Sequence, residues 1–319
     1  MRAIVYHRYG PPEVLQLEEV EKPVPADDEV LVRVRAASAN PLDWHFMRGE
    51  PRFMRLMTGL TKPRLARLGV DAAGVVEAAG RGVTAFEPGD EVFGAFRGAF
   101  AEYACTRARA VWKKPVNVTF EQAACANVAG LTALQALRDN GRLGAGGKVL
   151  VNGASGGVGT FAVQIARCLG AEVTGVCSTR NVELVRSLGA HHVVDYTRED
   201  FTRRGERYDV VVDCVWSRSL AQSRRLLAPS GRYVVVGVVP GRIARAMLAG
   251  FVSAGRVSMI LARGGPHDRA TLADFMRDGK VTPVIDRTYP LAQAREAIRY
   301  LEQGHARGKV VIEAAADRR

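Results

Sequence analysis

The sequence predicts an α/β protein: a β-barrel or sandwich in its first third, then a doubly wound parallel sheet. Two observations carry this reading. Up to about Pro115, short runs alternate apolar and polar residues between Gly and Pro turns, as in Glu29-Val-Leu-Val-Arg-Val-Arg35; this period of two marks half-buried strands. After Pro115, wholly apolar strand-like runs alternate with helical stretches. Strands separated by helices pair in parallel, because parallel neighbours need a crossover, and a sheet covered on both faces is apolar throughout.

In chain order, Ala3 to Tyr6 is the first strand candidate, followed by Glu29–Arg35, Val75–Ala79 and Glu91–Ala95. Turns such as Glu87-Pro-Gly-Asp90 separate them, since Gly and Pro punctuate local structure. A helix is expected over Phe120–Arg138, leading to Gly144-Ala-Gly-Gly147. Val149–Val151 is a buried strand, Thr160–Leu169 a helix stopped by Gly170, and Glu172–Val176 the next strand. Val182–Leu188 is a helix closed by Gly189, and His192–Val194 a strand. Asp209–Asp213 and Arg232–Gly237 are further strands, the latter after the Pro229-Ser-Gly231 turn. Arg242–Arg263 is an amphipathic stretch containing Met, Leu291–Gln303 a helix, Lys309–Ile312 a last strand and Ala314–Arg319 a frayed tail.

The 319 residues suffice for about two domains. With 47% apolar and 24% charged residues the composition is that of a globular protein. No apolar run approaches a membrane span and Met1 leads directly into a strand, so neither stable membrane insertion nor a secretory signal is expected. Five scattered cysteines lack metal or disulfide spacing and suit the reducing cytoplasm. The net charge of +12 would suit nucleic acid, but the basic residues are spread along the chain with few dense clusters, so no nucleic-acid partner is expected. Positive charge does attract a polyanionic cofactor.

The strongest local signal is Val149-Leu-Val-Asn-Gly-Ala-Ser-Gly-Gly-Val-Gly159. A strand ends, a Gly-rich turn follows and a helix begins, so backbone can approach a pyrophosphate at a helix N-terminus. Ala154, Gly156 and Gly159 occupy the three small positions, and Ser155, Gly156, Gly157, Val158 and Gly159 are the candidate pyrophosphate contacts. The second strand ends in Val176-Cys-Ser-Thr-Arg-Asn181. Where NAD binders place a carboxylate for the ribose 2′-hydroxyl, this chain offers Ser178 and Arg180, donors suited to a 2′-phosphate. The expected cofactor is NADPH.

Several motifs in order complete a pattern: Gly10-Pro-Pro-Glu-Val-Leu15, Asn40-Pro-Leu-Asp43, Gly89-Asp-Glu-Val92, Gly130-Leu-Thr-Ala133, Gly153-Ala-Ser-Gly-Gly-Val-Gly159 and Gly308-Lys-Val-Val311. Over nearly its whole length the chain resembles the medium-chain dehydrogenase/reductase superfamily, in its zinc-independent quinone oxidoreductase branch. The resemblance implies a GroES-like β-barrel catalytic domain over residues 1–118, completed by 265–319, and a Rossmann NADPH-binding domain over 119–264. Zinc members carry a Cys ligand at the position of Asn40 and a His in a Gly-His-Glu motif. Here Asn40 and Gly69-Val70-Asp71 stand there, groups that cannot serve a tetrahedral zinc site. No metal is therefore expected. Without a Lewis acid, the acceptor suited to hydride is one whose conjugated oxygen spreads the charge: a small apolar quinone or an α,β-unsaturated carbonyl.

By the same resemblance Asn40 lies beside the nicotinamide, able to donate to an acceptor oxygen; a turn residue before Pro41 is the plain alternative. Asp43 lies near the cofactor or serves as a helix cap. His45 is a proton donor to the product or a packing residue. Thr132 and, more weakly, Asn127 are assigned to the nicotinamide end, Tyr196 to the adenosine phosphate and Lys309 to the returning C-terminal segment. Cys214 and Val215, with Gly237 and Val238, lie at C-terminal strand ends, where ligands bind in this fold. Asp90 and Glu102 are read as structural. Pro51–Arg67 and Arg242–Arg263 are read as apolar covers over the acceptor, with packing, a dimer contact or a membrane surface as rivals. A homodimer is expected. The alternatives to a quinone or enone reductase are an enoyl thioester reductase of lipid or polyketide type and a non-catalytic NADPH-binding protein.

Overall fold

The structure is a computed structural model describing residues 1–237 and 256–314; for Met57 and Leu220 it describes only the backbone. The chain divides into two units. The first comprises Met1–Val128, Gly264–Arg277 and Pro283–Arg319; the second comprises Ala129–Arg263 and Asp278–Thr282.

The first unit opens with a hairpin of β1 (Arg2–Val5) and β2 (Gln16–Glu19). Then follow β3 (Glu29–Ala39), α1 (Pro41–Arg48), α2 (Arg55–Thr58), β4 (Asp71–Ala79), β5 (Glu91–Ala95), β6 (Tyr103–Arg107), β7 (Val111–Lys113) and α3 (Phe120–Ala124). Helix α4 (Asn127–Gln135) starts after a break at Cys125 and Ala126. The single helix expected over Phe120–Arg138 is thus two, because the Cys125 N–H turns to the Gln122 carbonyl and Ala126 to Ala123 instead of extending the ladder.

The second unit runs through β8 (Lys148–Asn152), α5 (Gly157–Cys168), β9 (Glu172–Cys177), α6 (Val182–Ser187), β10 (His192–Asp195), β11 (Tyr208–Asp213), α7 (Leu220–Arg225), β12 (Leu227–Val236) and β13 (Val257–Ile260). The chain then returns to the first unit through α8 (Pro266–Arg277), β14 (Ile285–Pro290), α9 (Ala294–Glu302) and β15 (Lys309–Glu313).

Among the described residues the six strands of the second unit all pair in parallel, in the order β10-β9-β8-β11-β12-β13. Val149, Leu150 and Val151 on the central strand β8 are wholly buried, and burying each such side chain contributes roughly 1.5–3 kcal/mol before entropy is charged. The path runs outward from β8 to β10 and then crosses back to β11, so the strand order reverses between β8 and β11. Ligands of open α/β sheets bind at that reversal, beyond the carboxyl ends of the strands. Part of the Arg242–Arg263 stretch lies outside the described residues. Its end holds strand β13, last in the order of the described strands, which amphipathicity alone did not reveal.

In the first unit, β3 is the hub. Its Glu29–Arg33 half pairs with β6 and its Ala36–Ala39 half with β15, while β4 runs along nearly all of it. Register shifts at Leu31/Val32 and Val34/Ala36 are bulges, which bend a strand and let it change partners. The seven-stranded sheet β14-β15-β3-β4-β5-β7, with β6 on β3, curls around a core that includes Val30, Val32, Val34, Val92, Phe100, Val310 and Ile312. Asp90 and Glu102 pair with Lys113 and Arg2, as structural residues do.

Candidate functional site

In the second unit the loop from β8 to α5 is shaped by two glycines with different reasons for being glycine. A Cβ on Gly159 would stand 2.0 Å from the Gly153 carbonyl oxygen and 2.9 Å from Ala154 Cα, so the helix can approach the loop only without a side chain. A Cβ on Gly156 would meet nothing nearer than 3.4 Å. Packing therefore does not demand glycine there, whereas close approach of a ligand does. Ser155, Gly156, Gly157 and Val158 are half-buried at the start of α5, where the first amides have no partner within the helix.

After β9 the chain makes a 3₁₀ turn over Thr179–Asn181. Arg180 is exposed and Ser178 half-buried. Tyr196, 52% exposed, is held beside this turn by its N–H to the Cys177 carbonyl at 3.0 Å. The nearby carboxylate, Asp195, accepts from the hydroxyls of Thr179 and Thr197, and those bonds hold its carboxyl below the usual range. Asn181 is buried. Its amide Nδ2 donates to Ser155 Oγ at 2.9 Å and to Ser178 Oγ at 3.2 Å, tying the Gly-rich loop to the turn.

At the reversal of strand order, Asp213 ends β11 and accepts from Asn152 Nδ2 at 2.8 Å, from the Val215 and Trp216 amides and from the Tyr233 hydroxyl. Trp216 has φ +54, and its amide bond to Asp213 supports this rarely occupied conformation. Cys214 is half-buried and Val215 exposed beyond the strand end. Gly237, with φ +89, follows β12 with open space at its Cβ position. Val238 lies outside the described residues. Thr132 is buried on α4.

In the first unit the structure collects Asn40, Asp43, Asn127 and Lys309 around a residue the motifs had not singled out, Asp71. Its carboxylate is wholly buried and accepts from Asn40 Nδ2 at 3.1 Å, Asn127 Nδ2 at 3.0 Å and the Val128 amide. Burial pushes its carboxyl up, against the pull of Lys309 and these donors. Lys309 Nζ donates to Asn40 Oδ1 at 2.6 Å, and Arg269 Nε on α8 donates to Asn127 Oδ1 at 3.1 Å. Two buried cations thus reach one buried carboxylate through two amides, which satisfies the rule that buried charge is paired and hydrogen-bonded.

Asn40 gives its other amide hydrogen to the Ser38 carbonyl. Both of its hydrogens are therefore engaged inside this unit, unlike the free donor pictured from the motif. Asp43, the third residue of α1, accepts from the Asn40 amide at 2.8 Å and the Gly69 amide at 3.0 Å. Burial pushes its carboxyl up to about 7. His45 is buried, with Nδ1 2.8 Å from the Glu50 carbonyl.

Residues 26–116 match the family described as alcohol dehydrogenase GroES-like domain, and residues 188–312 the family described as zinc-binding dehydrogenase. The chain is 34% identical, over 98% of each, to a chloroplast envelope quinone oxidoreductase homolog of Arabidopsis thaliana. It belongs to the medium-chain dehydrogenase/reductase superfamily, quinone oxidoreductase-like. The solved quinone oxidoreductase of Coxiella burnetii superposes with a TM-score of 0.88 at 30% identity, covering 99% of both chains. That of Escherichia coli, complexed with NADPH, gives 0.84 at 26% identity, covering 98% of this chain and 100% of the other.

The protein is thus an oxidoreductase of a quinone oxidoreductase-like family that binds nicotinamide cofactors, with a GroES-like unit and a Rossmann unit. Among the described residues no three His, Cys, Asp or Glu gather as a metal-holding group, and no helix is long and apolar enough to cross a membrane. Three members of the polar framework escaped the motif reading: Asp71, Arg269 and Asn181. Asp71 was visible only as the residue standing in a Gly-Val-Asp triplet, and Asn181 as the neighbour of Arg180. Nothing in the local sequence distinguished Arg269.

Proposed function

We propose that the protein is an NADPH-dependent, zinc-independent reductase acting on a quinone or an α,β-unsaturated carbonyl. The observation that carries the reading is the turn after β9, where Ser178 and Arg180 stand at the strand end and the adjacent carboxylate, Asp195, is taken up by threonine hydroxyls. A 2′-phosphate accepts hydrogen bonds only, so hydroxyl and guanidinium donors suit it. The Gly-rich loop fits a pyrophosphate, because the Cβ that Gly156 lacks is not required to be absent by any protein atom. Ser155, Gly156, Gly157, Val158 and Gly159 would hold the pyrophosphate, Ser178, Arg180 and Tyr196 the adenosine phosphate, and Thr132, Cys214, Val215, Gly237 and Val238 the remainder.

When bound, NADPH supplies the hydride. Lys309 offsets charge developing on the acceptor oxygen, and Asn40 holds its ammonium in place through the side-chain oxygen. Asp71 fixes the Asn40 amide, Asp43 fixes the loop at Gly69, and solvent or His45 returns the proton. Zinc independence is supported by charge. The place held by a thiolate in zinc members is filled by an amide whose oxygen already faces an ammonium at 2.6 Å, and a divalent cation there would be repelled.

Phe53, Leu56 and Leu60, all more than half exposed, supply an apolar approach for the acceptor. The assembly is a homodimer in the cytoplasm, with no nucleic-acid partner. The test is NADPH oxidation with 9,10-phenanthrenequinone and an aliphatic enone, with NADH alongside and after chelation of metals. Turnover faster with NADPH and unchanged by chelation is expected; equal use of NADH, or loss on chelation, overturns the reading.

A further inference from the structure

We propose that Asn181 is a specificity-determining positioning residue, whose amide bonds the hydroxyls of Ser155 and Ser178 and sets that of Ser178 as a hydrogen donor, so biasing the turn toward a ribose bearing a 2′-phosphate. The proposal rests on the NADPH reading above and names the device behind it.

A serine hydroxyl is amphoteric and by itself tells a hydroxyl from a phosphate poorly. Here one buried amide donates to both hydroxyl oxygens, at 2.9 Å for Ser155 and 3.2 Å for Ser178. Each oxygen then has an acceptor site filled and its own hydrogen left to give. Neither hydroxyl donates to another group among the described residues. The Ser178 hydroxyl, a donor on a half-buried oxygen next to the exposed Arg180, matches a dianion that only accepts, while Ser155 is left to give its hydrogen to the pyrophosphate; a ribose 2′-hydroxyl is less well matched at Ser178, because it must also find an acceptor for its own proton.

The orientation of the amide follows from what is left unpaired. As placed, Asn181 Oδ1 is the one atom of this amide buried without a partner. With the amide turned over, both N–H bonds would be orphaned instead, and buried unpaired N–H groups are rarer than under-used carbonyls. The Asn181 backbone is itself pinned, its N–H donating to the Ser178 carbonyl at 2.8 Å, so the side chain is delivered between the two serines by the turn that holds Ser178.

The experiment measures binding of adenosine 2′,5′-bisphosphate and adenosine 5′-monophosphate to the cofactor-free protein by calorimetry, and takes the ratio of the two affinities. Wild type is expected to favour the bisphosphate; equal affinities would sink the NADPH reading itself. Given that preference, Asn181→Ala should lower the ratio about 10-fold, the worth of one or two hydrogen bonds to charge. Asn181→Asp should lower it further, since a carboxylate makes the serines donate inward and repels phosphate. The variant Ser178→Ala removes the group through which Asn181 acts at the 2′ position. The double variant Ser178→Ala with Asn181→Ala should therefore be no less selective than Ser178→Ala alone. A ratio unchanged in Asn181→Ala, or additive losses in the double variant, overturns the proposal while leaving NADPH as cofactor.

Discussion

The Lys309 ammonium lies 2.6 Å from the side-chain oxygen of Asn40, joining residues 269 positions apart in the chain. The contact couples the last strand of the first unit to the cap of its first helix, and it places a cation beside the buried carboxylate of Asp71. Removing one member of such a set leaves a charge without compensation. Lys309→Met should destabilise the cofactor-free protein by about 3 kcal/mol, and adding Asp71→Asn should recover much of that loss. Thermal unfolding of the three proteins decides it; a Lys309→Met protein as stable as wild type would show that Asp71 does not depend on the ammonium. If Lys309 also offsets charge on the acceptor, kcat should fall by about 10² with KM for NADPH little changed.

Asp43 gives a pH signature. Burial raises its carboxyl from an ordinary 3.8 to about 7, so between those values the folded protein holds a proton that the unfolded chain has lost. The unfolded state then binds fewer protons, and stability falls as pH rises through this window. The stabilisation is fully present below about pH 4 and gone above about pH 7. Asp43→Asn should flatten that slope, whatever its effect on absolute stability. Denaturant midpoints at pH 5 and pH 8 check this; an unchanged difference between the two pH values would place the titration elsewhere.

The two loop glycines should fail differently. Gly159→Ala drives a methyl into the Gly153 carbonyl, so the Rossmann unit itself should be destabilised by roughly 1–3 kcal/mol. Gly156→Ala has room in the protein and should unfold within about 0.5 kcal/mol of wild type. Its deficit should instead be in cofactor binding, weakened by about 10² through lost backbone approach. Melting curves with and without NADPH separate these outcomes. Tight NADPH binding by Gly156→Ala would argue against the pyrophosphate assignment.

Arg180→Asp tests the 2′-phosphate assignment directly. Replacing an exposed guanidinium by a carboxylate should raise KM for NADPH by about 10²-fold and leave KM for NADH within a few-fold. Because the site is exposed, the difference should shrink as salt is raised. A variant that keeps its NADPH preference would move the phosphate away from Arg180.

How much of this was legible in the sequence depended on how local each constraint is. The strand–loop–helix around Gly159 was readable because every requirement falls within one short segment. The parallel strands were readable from their apolar runs, and five of the six were located. The sixth, Val257–Ile260, sits in a stretch whose composition reads as amphipathic, and its partner β12 sets its fate rather than its own pattern. Strand β6 was missed for a similar reason: Tyr103–Arg107 is half-buried and short, and is defined by pairing with β3. Asp71 could not be seen as a hub, since its partners come from positions 40, 127 and 128, and the cations that reach it from 269 and 309. Asn181 was overshadowed by the charged residue before it, although its buried amide ties the Gly-rich loop to the turn.

The place of β15 has a consequence for how the chain is made. This strand lies between β14 and β3, inside the sheet of the first unit, yet it is synthesised only after the whole Rossmann unit. Until then the Ala36–Ala39 half of β3 keeps an open edge, and an open edge invites pairing with other chains. The Rossmann unit, whose sequence is nearly continuous, can complete itself on the ribosome while the barrel waits for its final strand. Newly made chains are therefore most prone to aggregate in the interval before Lys309–Glu313 emerges, and a holding chaperone would act during that interval on residues near the N-terminus.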